Sequence, residues 1–152
     1  TGSLLIEKDA IEAYKSIFIN QGELITPNIY EASILSDLEI TNSSDIEKAG
    51  YCLLNKGVKA VLIKGGGIQG LQGKDYFIEN SKEGFWLNHN PIKTENTHGS
   101  GCTLIAAITA YRALNYNLKD SIMKAKLYVE SAINNSFKLG KGPGTLCHWG
   151  YN

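Results

Sequence analysis

The stretch of this chain best suited to chemistry is Gly-Ser-Gly-Cys-Thr, residues 99–103. Gly99 and Gly101 lack a Cβ, so the backbone there can turn sharply and approach a ligand closely. Ser100, Cys102 and Thr103 fall in the first turn of an apolar, alanine-rich run, CTLIAAITAYRAL. The free N–H groups of a helix start, with the positive end of its dipole, favour an anion such as phosphate. The same residues also suit a plain N-cap in which the glycines serve only the turn. Cys102 likewise has two readings. A thiol at a helix N-terminus is activated as a base or nucleophile, whereas most free cysteines are small buried hydrophobes. His98 is the titratable neighbour and a site residue with no assigned role.

Two further groups carry chemistry. In TPNIYEA, Asn28 and Glu31 stand three apart at a helix start and point the same way. Together they suit a hydrated Mg²⁺, which keeps most of its waters and takes few protein ligands. They equally suit an N-cap Asn followed by a Glu that complements the helix dipole. Lys64 ends an apolar run and precedes three glycines, which fits a phosphate contact or a strand-end lysine reaching water. Two motifs fail on context. GGGIQG, residues 65–70, matches G-x-G-x-x-G, but LQGKDYFIEN follows where the dinucleotide fingerprint needs a helix. GKGPGT, near the C-terminus, lacks the Ser/Thr after Lys and the helix of a Walker A loop.

The elements that must position these residues alternate. Residues 7–20 read as an amphipathic helix with Ile11, Tyr14, Ile17 and Phe18 on one face. Leu24 and Ile25 form a short buried strand that Pro27 ends, and 28–38 suit a short helix. TNSSDIEKAGYCLLNKG opens with capping residues, carries Ile46, Ala49, Leu53 and Leu54 on one face and stops at Gly57. VKAVLIK is a central buried strand. KDYFIEN and EGFWLNH form a hairpin around SKEG. Residues 101–114 and 118–135 are two more helices, and the tail LGKGPGTLCHWGYN is glycine-rich and irregular. The expected class is α/β: one domain over 1–152, a largely parallel sheet flanked by helices, and an antiparallel hairpin. Ligands in such sheets sit beyond the carboxyl ends of the strands, where TPNIYE, KGGG and NTHGSGC all fall.

Composition sets bounds. The 152 residues are 43% hydrophobic and 20% charged, with 15 basic and 15 acidic side chains. No Lys/Arg-rich run speaks for nucleic acid, no apolar run reaches membrane-spanning length, and TGSLLIEKDA is no signal peptide. The three cysteines, Cys52, Cys102 and Cys147, are widely spaced and odd in number. Reduced cytosolic thiols fit better than a disulfide framework, so the sequons at Asn42 and Asn134 carry no meaning. Zinc needs close ligand pairs, and Cys147 beside His148 has no partner pair elsewhere.

The signals stand in one order: Asn-x-x-Glu after a strand, a strand-ending Lys-Gly-Gly, then Gly-Ser-Gly-Cys opening a helix. That order resembles the ribokinase-like superfamily of small-molecule kinases. More narrowly, LITPNIYEA, KAVLIKGG, NTHGSGCTL, AKLYVESAI and LGKGPG resemble the hydroxymethylpyrimidine/phosphomethylpyrimidine kinases of thiamine biosynthesis, over essentially the whole chain. THGSGCT is the specific part, since relatives such as ribokinase usually carry an aspartate where Cys102 stands. Pyridoxal kinases of the same superfamily are the nearest alternative. The resemblance implies a cytoplasmic enzyme that uses ATP and Mg²⁺. It would phosphorylate 4-amino-5-hydroxymethyl-2-methylpyrimidine and then its monophosphate. Gly99, Ser100 and Gly101 would cradle the transferring phosphoryl, with Cys102 beside the acceptor hydroxyl. Lys64, Thr97, Thr103 and Lys126 would serve the nucleotide, and Asn28 and Glu31 the Mg²⁺.

The resemblance also implies that an N-terminal part of the family's fold is absent from a chain starting at TGSLLI. That part supplies much of the pyrimidine pocket and several strands. Cleavage or truncation, a gene encoding this portion alone, and half of a split enzyme each account for it. A non-catalytic nucleotide-binding remnant is then the alternative to an enzyme. An uncovered sheet edge would associate with a second copy, as a homodimer, or with a complementary chain.

Overall fold

The computed structural model describes residues 7–80, 83–89, 92, 94 and 96–149. The chain is organised as two compact units, Thr1–Pro91 and Ile92–Asn152. In the first, helix α1, Lys8–Ala13, widens into a π-helical turn, Tyr14–Phe18, closed by the Ile19 N–H on Tyr14 O at 2.9 Å. The wider turn rotates the apolar face expected for residues 7–20. Ile11 is buried, but Ile17 stands 57% exposed and Ile19 takes its place in the core. The side chain of Phe18 lies outside the described residues.

Helices α2, Ile29–Ser36, and α3, Ser43–Asn55, each start on an asparagine. Asn28 Oδ1 accepts the Glu31 N–H and Asn42 Oδ1 the Asp45 N–H, so each cap satisfies a donor the helix itself leaves open. Helix α3 buries Ile46, Ala49 and Leu53 at their expected spacing. Its core partner is strand β1, Ala60–Lys64, whose Val61, Leu62 and Ile63 are fully buried. Each such side chain contributes roughly 1.5–3 kcal/mol.

The expected largely parallel sheet is corrected by the structure. Strand β2, Lys74–Glu79, runs antiparallel to β1, and β3, Phe85–Asn88, antiparallel to β2, in the order β1-β2-β3. The link 65–73 is too short for the helical crossover that parallel strands need, so the chain must turn back. Among the described residues of the first unit, parallel pairing survives as two isolated bridges, Ile25↔Val61 and Asn28↔Lys64. Pro27 between them has no N–H to give, which breaks the ladder. The β2–β3 hairpin is as expected, although Ser81 and Lys82 of its turn lie outside the described residues.

The second unit holds helices α4, Ser100–Ala113, and α5, Leu118–Asn134, which pack together and bury Leu104, Ile108, Ile122, Ala125 and Val129. The tail is less irregular than its composition suggests. Phe137 and Thr145 exchange two backbone hydrogen bonds, at 3.2 and 3.0 Å, and Thr145 also bridges His98 in parallel. Among the described residues no helix is long and apolar enough to cross a membrane.

One charged clamp joins three helix ends of the first unit. Asp37, the left-handed C-cap of α2 at φ 61°, takes Lys15 Nζ on Oδ1 at 2.7 Å and Lys56 Nζ on Oδ2 at 2.6 Å. The Lys15 hydrogen bond, then that from Lys56, hold the Asp37 carboxyl below its ordinary value. The side chain is 63% exposed, so solvent screening limits its worth to about 1 kcal/mol at most. A carboxylate with a depressed folded-state value stabilises fully above its unfolded value and not at all below its folded one. Asp37→Asn, which keeps a residue tolerant of positive φ, should therefore cost about 1 kcal/mol or less at pH 7. The deficit should shrink as acid carries the protein below the ordinary carboxylate value and vanish beneath the folded-state value. Urea unfolding of both proteins from pH 7 to 2.5 checks this, and a deficit that persists at the acid end would contradict it.

Candidate functional site

Gly99, Ser100, Gly101 and Cys102 shape a helix start unlike those of α2, α3 and α5. Those three are capped by Asn28, Asn42 and Asn117. Helix α4 has Gly99 as its N-cap, in the left-handed region at φ 83°, with no side chain to offer. Ser100 N–H bonds Thr97 O at 3.2 Å, and Thr103 N–H and Oγ1 both donate to Gly99 O at 2.9 Å. No acceptor among the described residues takes the N–H groups of Gly101 or Cys102. Two amides at the positive end of a helix dipole are thus left for a ligand, which is the chemistry of an anion site. Thr103 is buried and its hydroxyl closes the loop rather than reaching outward.

Cys102 is exposed, which removes its reading as a buried hydrophobe. Its side chain lies on a groove of about 510 Å³ along α4, floored by Ala106, Ala107 and Ala110 and walled by Tyr128 and His148. Tyr128 O–H donates to His148 O at 2.9 Å and the two rings stack at 6.5 Å. Thr97 and His98 are exposed before the loop, and His98 is held by its backbone bridge to Thr145. Lys126 is half-buried on α5.

In the first unit the structure brings Asn28, Glu31 and Lys64 together. Asn28 bridges Lys64, whose N–H donates to Pro27 O at 3.0 Å. Asn28 and Glu31 form a reciprocal capping box. Asn28 N–H donates to Glu31 Oε2 at 2.8 Å, and Glu31 N–H to Asn28 Oδ1 at 2.9 Å. The box uses one oxygen of each side chain and leaves Glu31 Oε1 for another partner. No group of three or more His, Cys, Asp or Glu among the described residues could cage a metal. The donor set is compatible with a hydrated ion such as Mg²⁺, which keeps most of its waters and takes few protein ligands.

Two residues of these sites escaped the sequence reading. Asn96 Oδ1 accepts the Gly144 N–H at 3.0 Å, tying GKGPGT to the segment before Gly99. Asp75 accepts the Gly65 N–H at 3.2 Å. The only local sign of Asp75 was a carboxylate entering the otherwise apolar run YFI.

Against known proteins, the profile of the family described as phosphomethylpyrimidine kinase matches residues 1–147. The hydroxymethylpyrimidine/phosphomethylpyrimidine kinase of Synechococcus elongatus is 37% identical over 98% of this chain and 57% of its own. The pyridoxal kinase of Staphylococcus aureus, solved with AMP-PCP and pyridoxal, superposes with a TM-score of 0.91 at 31% identity. That match covers 99% of this chain and 56% of the enzyme. The ADP complex of Bacillus subtilis pyridoxal kinase gives 0.89 at 30% identity, over 95% of this chain and 56% of that one. The chain therefore spans little more than half the length of the relatives it matches.

Exposure of the three thiols sets up a direct check of the loop. Cys102 is exposed, Cys147 is buried, and Cys52 is half-buried with its Sγ on Ser36 O at 3.3 Å. Iodoacetamide should alkylate Cys102 of the folded chain at least about tenfold faster than the other two, since access governs thiol reactivity. Peptide mass spectrometry reads the order, and equal rates would mean that Cys102 is covered.

Proposed function

The chain belongs to the phosphomethylpyrimidine kinase family, and from that membership we propose that it phosphorylates 4-amino-5-hydroxymethyl-2-methylpyrimidine and its monophosphate at the expense of ATP. The observation that supports this most is the start of α4, where Gly99 offers no cap and the amides of Gly101 and Cys102 have no acceptor among the described residues. Phosphoryl transfer asks a protein mainly for positioning and charge stabilisation. Donors already aimed at the place where charge develops supply that without reorganisation.

In this proposal the acceptor hydroxyl oxygen attacks the γ-phosphorus in line, and the bond to the leaving ADP oxygen breaks. The Gly99–Gly101 loop holds the transferring phosphoryl oxygens. Cys102 stands beside the acceptor hydroxyl, as base or as positioning group. Lys64 meets the nucleotide phosphates as a point charge, with Thr97, Thr103 and Lys126 on the nucleotide side. Asn28 and Glu31 would hold Mg²⁺ through its waters, and the ion would supply neutralisation of charge on the phosphate oxygens.

Two observations favour a second reading. The chain covers 57% of its Synechococcus relative. Helix α4, apolar on nearly every side, leaves Ile105 38% exposed and is followed by a C-cap, Leu114, 67% exposed, although helices of that composition are interior elements. Such a chain acts as the nucleotide-binding half of a kinase, completed by association with a second copy or a complementary portion. The likeness to the Staphylococcus aureus enzyme also supports a pyridoxal-type acceptor.

Incubating the 152-residue chain with Mg·ATP and either the hydroxymethylpyrimidine or pyridoxal separates these. The expected result is a phosphorylated pyrimidine, formed at least about 100-fold more slowly by Cys102→Ala, the scale of a lost proton-transfer or positioning group. Phosphorylated pyridoxal alone would replace the acceptor. Nucleotide binding without turnover would establish the half-enzyme reading.

A further inference from the structure

Asp75 is 5% exposed, a carboxylate at the head of an otherwise apolar run of its strand. It is the second residue of β2, followed directly by the core side chains Tyr76, Phe77 and Ile78. Burying a carboxylate is costly unless its oxygens are hydrogen-bonded. Asp75 Oδ1 accepts the N–H of Gly65 at 3.2 Å, a charge-assisted bond stronger than a neutral one. Gly65 is the first residue beyond β1, and Asp75 stands opposite Lys64 in the antiparallel ladder. On the other edge of the same strand end, Pro27 O accepts the Lys64 N–H at 3.0 Å. The course of the chain out of β1 is thus held from both sides.

The turn Gly65–Gly67 has one closed side and one open one. A Cβ on Gly65 would lie 2.4 Å from Lys74 O, so this residue is pressed against the start of β2. A Cβ on Gly66 would meet nothing within 4 Å. Asp75 holds the closed side, Gly66 stands on the open one, and Lys64 leads into the turn from β1.

We propose that Asp75 is a positioning residue, whose carboxylate holds the Lys64–Gly66 turn in the shape that offers Lys64 and the Gly66 amide to a nucleotide phosphate. This role rests on the nucleotide-binding reading given above. It makes no contact with the nucleotide itself; it acts through the backbone of Gly65.

The test is a double-mutant cycle on the full chain with Mg·ADP as the probe, read by titration calorimetry. Asp75→Ala and Asp75→Ser should weaken Mg·ADP about tenfold, and Asp75→Asn, which keeps an acceptor oxygen, no more than about threefold. In a Lys64→Ala background the further loss from Asp75→Ala should nearly disappear, because both changes act on one turn. Amide exchange at Gly65 in the nucleotide-free protein should speed up in Asp75→Ala and stay slow in Asp75→Asn. Wild-type affinity in Asp75→Ala and Asp75→Ser, or full additivity with Lys64→Ala, would overturn the assignment while leaving the nucleotide reading intact. A wild-type chain that binds no Mg·ADP would overturn both. A general loss of stability would lower the melting temperature in either background without producing the coupling to Lys64.

Discussion

Strand β1 is hydrogen-bonded along both edges, by segment 25–28 on one and β2 on the other, and the first unit's candidate ligands hang from its C-terminal end. Because segment 25–28 runs parallel beside it, both reach the same side of the sheet. Pro27 ends that short ladder and Asn28 immediately caps α2. The start of one helix, Lys64 and a glycine turn are therefore brought to one place by backbone pairing alone. Sheets with parallel neighbours collect their ligands there for this reason. The buried side chains Val61, Leu62 and Ile63 make the strand immovable, so whatever projects from its end is held on a rigid base.

The second unit presents its candidate site in a different way. Three helices fill their first-turn donors with an asparagine oxygen, and α4 forgoes this. A glycine cap in place of an asparagine costs only about a few tenths of a kcal/mol. Thr103 compensates in part by bonding Gly99 O twice, which keeps the left-handed glycine in place without occupying the amides of Gly101 and Cys102. Local stability is given up where two donors stay open, a pattern common at functional sites. The exposed Cys102 thiol at the head of an alanine-floored groove extends the same opening.

The apolar sides of α4 add a further surface to this local picture. Ile105 on the helix and Leu114 at its C-cap lie open, although the helix's composition suits an interior. The Synechococcus and Staphylococcus relatives carry further sequence beyond the 57% and 56% of their lengths matched here.

Much of this was legible in local sequence, because the features concerned are themselves local. Asn28 and Asn42 cap the helices that follow them, Lys64 ends a buried strand, two aromatic runs pair as a hairpin, and GSGC opens a helix, each set by neighbours a few residues away. The family followed from the order of those same short motifs. Long-range contacts left no such trace. The direction of β2 depended on how far 65–73 could reach, and the face of the first helix on a π-turn that displaced Ile17 in favour of Ile19. Asp75 bonds ten residues back, and Asn96 bonds forty-eight residues ahead, to glycines whose amides are ordinary in composition. Whether Cys102 was buried or open depended on which side chains came to line the groove beside it. Propensity and capping act within a turn of helix, whereas a buried carboxylate or an exposed thiol is defined by partners that only folding brings near.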